Sequence, residues 1–75
     1  MANYDYSKLS GKIVEKCRTR GSFATKMGWS GPTCGRKMNG STSWSQLEIE
    51  KAIVILDINR ADIPEYFFAL AVTKM

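Results

Sequence analysis

The groups in this sequence best suited to chemistry are donors to anions. Arg36 can offer two parallel N–H groups to the edge of a guanine, and Thr33, three residues earlier, can meet a thymine methyl or a phosphate oxygen. Arg20 and Ser22 precede them in what reads as the first turn of a helix. A cation there is disfavoured by the helix dipole, so a phosphate partner would suit it. The hydroxyls and backbone N–H groups of Gly40-Ser41-Thr42-Ser43 can hold a phosphate, or the stretch is a plain connector. The chain has no histidine, no nucleophile beside a base, no paired carboxylates in an evident pocket and no phosphate loop, which argues against an enzyme. Cys17 and Cys34 without histidine fall short of a zinc set. Both sit at apolar-stripe positions and read as reduced core thiols. No metal and no cofactor is expected.

The element that must position these donors runs from Arg20 to Gly40. Phe23, Ala24 and Met27 fall on one helical face, and Gly28 follows where a helix needs a residue that tolerates positive φ. Thr19 is suited to cap this helix, and Ser30 to cap a second one. Cys34 and Met38, at i and i+4, give the second helix its inward stripe. That leaves Gly31, Pro32, Thr33, Arg36 and Lys37 outward, and Asn39-Gly40 closes it. Pro32 is tolerated in the first turn, while Gly35 weakens the middle by about 1 kcal/mol. This spacing is that of a helix-turn-helix, whose second helix enters the major groove of DNA. Trp29 sits where an apolar residue is tucked beneath the turn.

Seventy-five residues make one small domain, with the motif at about 19–40 and a C-terminal helix and tail at 62–75. A hydrophobic content of 44% fits a globular chain, and no apolar run approaches the roughly 18 residues of a membrane helix. The N-terminus is neither basic nor greasy, so no signal peptide and a cytoplasmic location are expected. The formal charge is +4, unevenly spread: residues 1–43 carry eight Lys/Arg against two Asp/Glu, and residues 44–75 three against five. The basic part contains the helix-turn-helix, as a polyanion-binding surface requires.

The remaining helices are supports. Leu9, Ile13 and Cys17 mark a first helix begun by Asp5 or Ser7 and ended near Arg18, with Tyr4 and Tyr6 ahead of it to pack back on the domain. Ser45 and Glu48 have capping-box spacing, flanked by Trp44 and Ile49 as a hydrophobic staple. The helix they start runs to about Leu56 on Ile49, Ala52, Ile53 and Leu56. Asp62 and Glu65, with Pro64 between them, predict another capping box and a short fifth helix. That helix carries more large apolar side chains than one small core can take. Ile63, Tyr66, Phe67, Phe68 and Leu70 are therefore expected at a subunit or partner interface. The fold class is all-α, with five short helices.

Over residues 7–69 the chain resembles the Cro/phage-repressor class of helix-turn-helix proteins, of the lambda-repressor-like fold. Tyr-Asp-Tyr-Ser-Lys-Leu near the start and Ile-Pro-Glu-Tyr-Phe-Phe near the end are similar to short Cro-like regulators of temperate phages and prophages of Gram-positive bacteria. The resemblance implies a role in the choice between lysogeny and lysis. It places Arg20 at the phosphate-contacting start of helix 2, Ser30, Gly31, Pro32, Thr33 and Arg36 on the base-facing side of the recognition helix, and Asn39 at its backbone-contacting end. Gly31 and Pro32 stand where polar side chains are common, and Lys37 where the general motif is apolar. Two functions follow. One is a regulator that binds double-stranded operator DNA, as a homodimer on a two-fold site. The other is an antirepressor or modulator that contacts the phage repressor protein. No small-molecule substrate is expected.

Overall fold

A computed structural model describes residues 4–69 of the chain, in which five α-helices and one 3-10 turn form and no β-strand does. Helix α1 spans Ser7–Cys17, α2 Arg20–Met27, α3 Gly31–Met38, α4 Gln46–Leu56 and α5 Ile63–Phe67, with the 3-10 turn at Arg60–Asp62. Helix α1 packs on α2, α4 and α5, and α2 also meets α3 and α4.

The helix ends follow from local hydrogen bonding. The Thr19 hydroxyl accepts from Ser22 N–H, and the Ser30 hydroxyl accepts from Thr33 N–H. The expected capping box at Ser45 and Glu48 is complete, each side chain accepting from the other's backbone N–H. The expected box at Asp62 and Glu65 does not form. Asn59 instead accepts from Ala61 N–H and starts the 3-10 turn, while Asp62 makes no capping bond and the Glu65 carboxylate pairs with Lys8. A single turn of tighter helix thus takes the place of a capped start.

The core is one cluster. Leu9, Ile13 and Cys17 from α1 meet Phe23, Ala24 and Met27 from α2, Cys34 and Met38 from α3, Ile49, Ala52, Ile53 and Leu56 from α4, and Ile58 and Phe67. Half-buried Trp44, in the loop before α4, joins the layers. Its ring centroid lies 5.2 Å from Trp29, 5.1 Å from Phe67 and 6.5 Å from Phe23, and its Nε1–H donates to the Lys37 carbonyl at 3.2 Å. Aromatic pairs of this kind contribute about 0.5–1.5 kcal/mol each beyond area burial. The N-terminal segment packs back as expected: Tyr4 meets Phe68 edge to face at 5.7 Å, and Asp5 N–H donates to the Ala69 carbonyl at 2.7 Å.

Two glycines give opposite expectations. Gly28, at φ +79°, ends α2 in the left-handed region, with open space where a Cβ would sit. Gly28→Ala should cost about 1–2 kcal/mol from backbone conformation alone. Gly35 lies within α3 with equally open space, so Gly35→Ala should stabilise by about 0.5–1 kcal/mol. Urea melts of the two variants, moving in opposite directions, check both.

Candidate interaction surfaces

The α2–turn–α3 pair places most of the expected contact residues outside. Arg20 opens α2, exposed, and its charge reaches Cys34 in the middle of α3: burial pushes the Cys34 thiol up, and the Arg20 guanidinium opposes that rise. Helix α2 packs on α3. On α3, Gly31, Pro32 and Arg36 are exposed, and Pro32 and Arg36 lie one turn apart on its outermost side. Thr33 is half-buried. Its hydroxyl accepts from Ser30 at 3.0 Å, so these two hydroxyls are already paired with each other. Ser22 is half-buried at the α2 cap. Asn39 and Ser41 are joined by a bond from Ser41 N–H to Asn39 Oδ1 of 2.9 Å.

Lys37 departs from its expected place. It is 7% exposed and turned inward, donating through Nζ to Glu48 Oε1 at 2.7 Å and to the Ser43 carbonyl at 2.6 Å. The same ammonium lies 5.7 Å from the centre of the Trp29 ring. It takes the inward position at i+3 from Cys34, beside Met38, and bolts α3 to the start of α4. It is not free to reach a phosphate. Burial alone would raise the Glu48 carboxyl, but the bonds from Lys37 and from Ser45 N–H outweigh it, and the net direction is down.

The expected apolar interface divides. Phe67 is 2% exposed and is a core residue, so it is not available to a partner. Ile63 and Tyr66 are half-buried, and the ammonium groups of Lys8 and Lys12 lie 5.1 and 6.0 Å from the centre of the Tyr66 ring. Phe68 alone is well exposed, at 47%, and Leu70 lies outside the described residues. Phe68 borders a groove of about 380 Å³ that is also lined by Trp44, Gln46, Ile49, Glu50, Arg60 and Ile63. On α4, Leu47 and Val54 are 78% and 79% exposed. The expected site did not include this second surface. Its signal in the sequence is that Leu47 and Val54, seven residues apart, fall off the core stripe of α4.

Among the described residues no helix is long and apolar enough to cross a membrane. No curated protein matches the chain. Among solved structures, the chain is similar to the modulator of repression (MOR) of the temperate bacteriophage TP901-1 from Lactococcus lactis, solved in solution. The two are 48% identical over 95% of this chain and 96% of that one, with a TM-score of 0.80. The chain is therefore similar over nearly its whole length to a small phage regulator. A family model matches residues 1–70, and the chain belongs to that family, described as "Protein of unknown function (DUF739)".

Proposed function

We propose that this chain is a phage-encoded regulator that modulates repression by binding the phage repressor protein in the host cytoplasm, acting as a binding protein and not as an enzyme. The observation that carries the reading is the near full-length similarity to a phage modulator of repression. The chemistry of α3 agrees with it. A helix that reads DNA needs side chains that reach base edges. Here the outer face offers Gly31, Pro32 and Gly35, with Ser30 and Thr33 bonded to each other and Lys37 turned inward, so Arg36 is left as the one strong reader.

A second reading, direct operator binding of the Cro type, draws on one specific feature: Arg20 and Arg36 are both exposed on the paired helices α2 and α3, in the basic part of the chain. The two separate in a titration of operator-region and random DNA across a salt series, with and without the repressor. Modulation by protein contact predicts weak, sequence-indifferent DNA binding by the chain alone and a stoichiometric complex with the repressor. Tight, operator-preferring binding by the chain alone would overturn it. Arg36→Ala would then relax sequence preference, and Arg20→Ala would weaken all DNA about equally.

A further inference from the structure

We propose that Arg18 is held in a strained backbone conformation to present its guanidinium, together with that of Arg20, to a carboxylate-bearing segment of the partner protein. The inference rests on the reading that the chain acts by protein contact, and it names a contact residue and the chemistry that it takes.

The backbone is the first observation. Arg18 closes α1 at φ 74° and ψ −44°, with its N–H donating to the Val14 carbonyl at 3.0 Å. This lies near the positive-φ γ-turn, a rare and strained conformation for a residue with a Cβ. Asp57, also at positive φ, differs: at φ 56° and ψ 44° it occupies the left-handed region that short polar residues tolerate. A glycine would hold the Arg18 backbone without the strain. Nothing inside the fold offsets it, since the Arg18 side chain is exposed and makes no ion pair among the described residues.

The surrounding charge is the second. No aspartate or glutamate lies between Glu15 and Glu48, and six lysines and arginines do. Lys16 and Lys37 reach carboxylates outside the stretch, those of Asp57 and Glu48. Arg18, Arg20, Lys26 and Arg36 reach none among the described residues, and all four are exposed. Arg18 and Arg20 flank Thr19, whose backbone is extended at φ −134° and ψ 156°. Their Cα atoms therefore stand no more than about 7 Å apart. Two cations on so short a tether repel each other until an anion lies between them. A carboxylate can meet a guanidinium fork with two parallel hydrogen bonds. A duplex would offer phosphates instead. However, α3, the helix that would enter its groove, has Arg36 as its one strong reader beside Gly31, Pro32 and the mutually bonded Ser30 and Thr33. An acidic protein segment needs no such reader.

The test reads stability and binding together. Circular dichroism melts and calorimetric titration with the phage repressor compare the unsubstituted chain with Arg18→Gly, with Arg18→Gln, and with Arg18→Gln combined with Arg20→Gln. Arg18→Gly should raise the Tm by a few degrees as strain is released, and should weaken repressor binding several-fold. Arg18→Gln keeps the Cβ and its strain, so its Tm should stay nearly unchanged while binding weakens to the same degree. The double variant should bind at least about tenfold more weakly, and added salt should narrow that difference. Normal repressor binding by Arg18→Gly and Arg18→Gln would overturn the contact, and a Tm lowered by Arg18→Gly would overturn the strain that the proposal invokes. Loss of binding to a random DNA duplex in these variants, with repressor binding intact, would assign the two arginines to phosphates. That result would overturn the proposal and leave the protein-contact reading in place. No repressor binding by the unsubstituted chain would overturn proposal and reading together.

Discussion

Phe67→Ala should lower the Tm by tens of degrees, whereas Phe68→Ala, one residue on, should lower it by only several. Phe67 is 2% exposed and stacks edge to face on Trp44 at 5.1 Å. Removing a buried phenylalanine costs about 3–5 kcal/mol through lost transfer energy and the cavity left behind. Domains of this size are held by roughly 4–11 kcal/mol in total, and this ring also supports Trp44, which joins α2, α4 and α5. Phe68 keeps 47% of its surface in water, and its contact with Tyr4 is worth about 1 kcal/mol. A shift of several degrees follows for a domain this small. Circular dichroism melts of both variants decide the matter. Similar melts would mean that the two rings share one environment, contrary to the division between core and surface.

That division also shows what could be read in the sequence and what could not. The ends of α2, α3 and α4 were legible because each rests on a bond a few residues long: Thr19 to Ser22, Ser30 to Thr33, and Ser45 with Glu48. The core stripes of α1 and α4 were legible because their apolar spacing is helical. The run Tyr66-Phe67-Phe68 was not, because α5 is only five residues long. With barely more than one turn, periodicity cannot say which ring turns inward; packing against Trp44 decides it. The Asp62 start failed because a competing side chain, Asn59, captured the turn first, and Glu65 was taken by Lys8 from α1, far away in sequence.

Lys37 is the sharpest case. Its charge assigned it to the surface, yet Cys34, Lys37 and Met38 form the i, i+3, i+4 stripe that defines an inward face. The partner that makes burial tolerable, Glu48, was already identified as a capping residue. One carboxylate serves both roles, accepting from Ser45 N–H and from Lys37 through the same oxygen. The surface on α4 was overlooked for the opposite reason. A helix with a complete core stripe is accounted for as support, and Leu47 and Val54 have no use in that account.

The Lys37–Glu48 bond should behave as a coupled pair. Lys37→Ala should destabilise by about 2–3 kcal/mol, since breaking a buried ion pair leaves an uncompensated charge. The figure lies below the range for a fully buried pair because the Glu48 side chain is 27% exposed. Lys37→Met should cost less, because the aliphatic stem still fills the space beside Trp29. Combining Lys37→Met with Glu48→Gln should cost less than the sum of the single substitutions, because no unpaired charge remains. The pH dependence has a definite sign. The Glu48 carboxyl is held below its ordinary range in the folded state. Its contribution is therefore fully present above the ordinary carboxylate range and is lost as pH falls through the lowered value. The stability gap between the unsubstituted protein and Lys37→Met should accordingly be widest near neutrality and close on acidification. Denaturant melts at a series of pH values measure it. A gap that stays constant into acid would show that the Lys37 ammonium stabilises through its bond to the Ser43 carbonyl and not through the Glu48 charge. In that case the orientation of α3 against α4 would rest on packing and not on the ion pair.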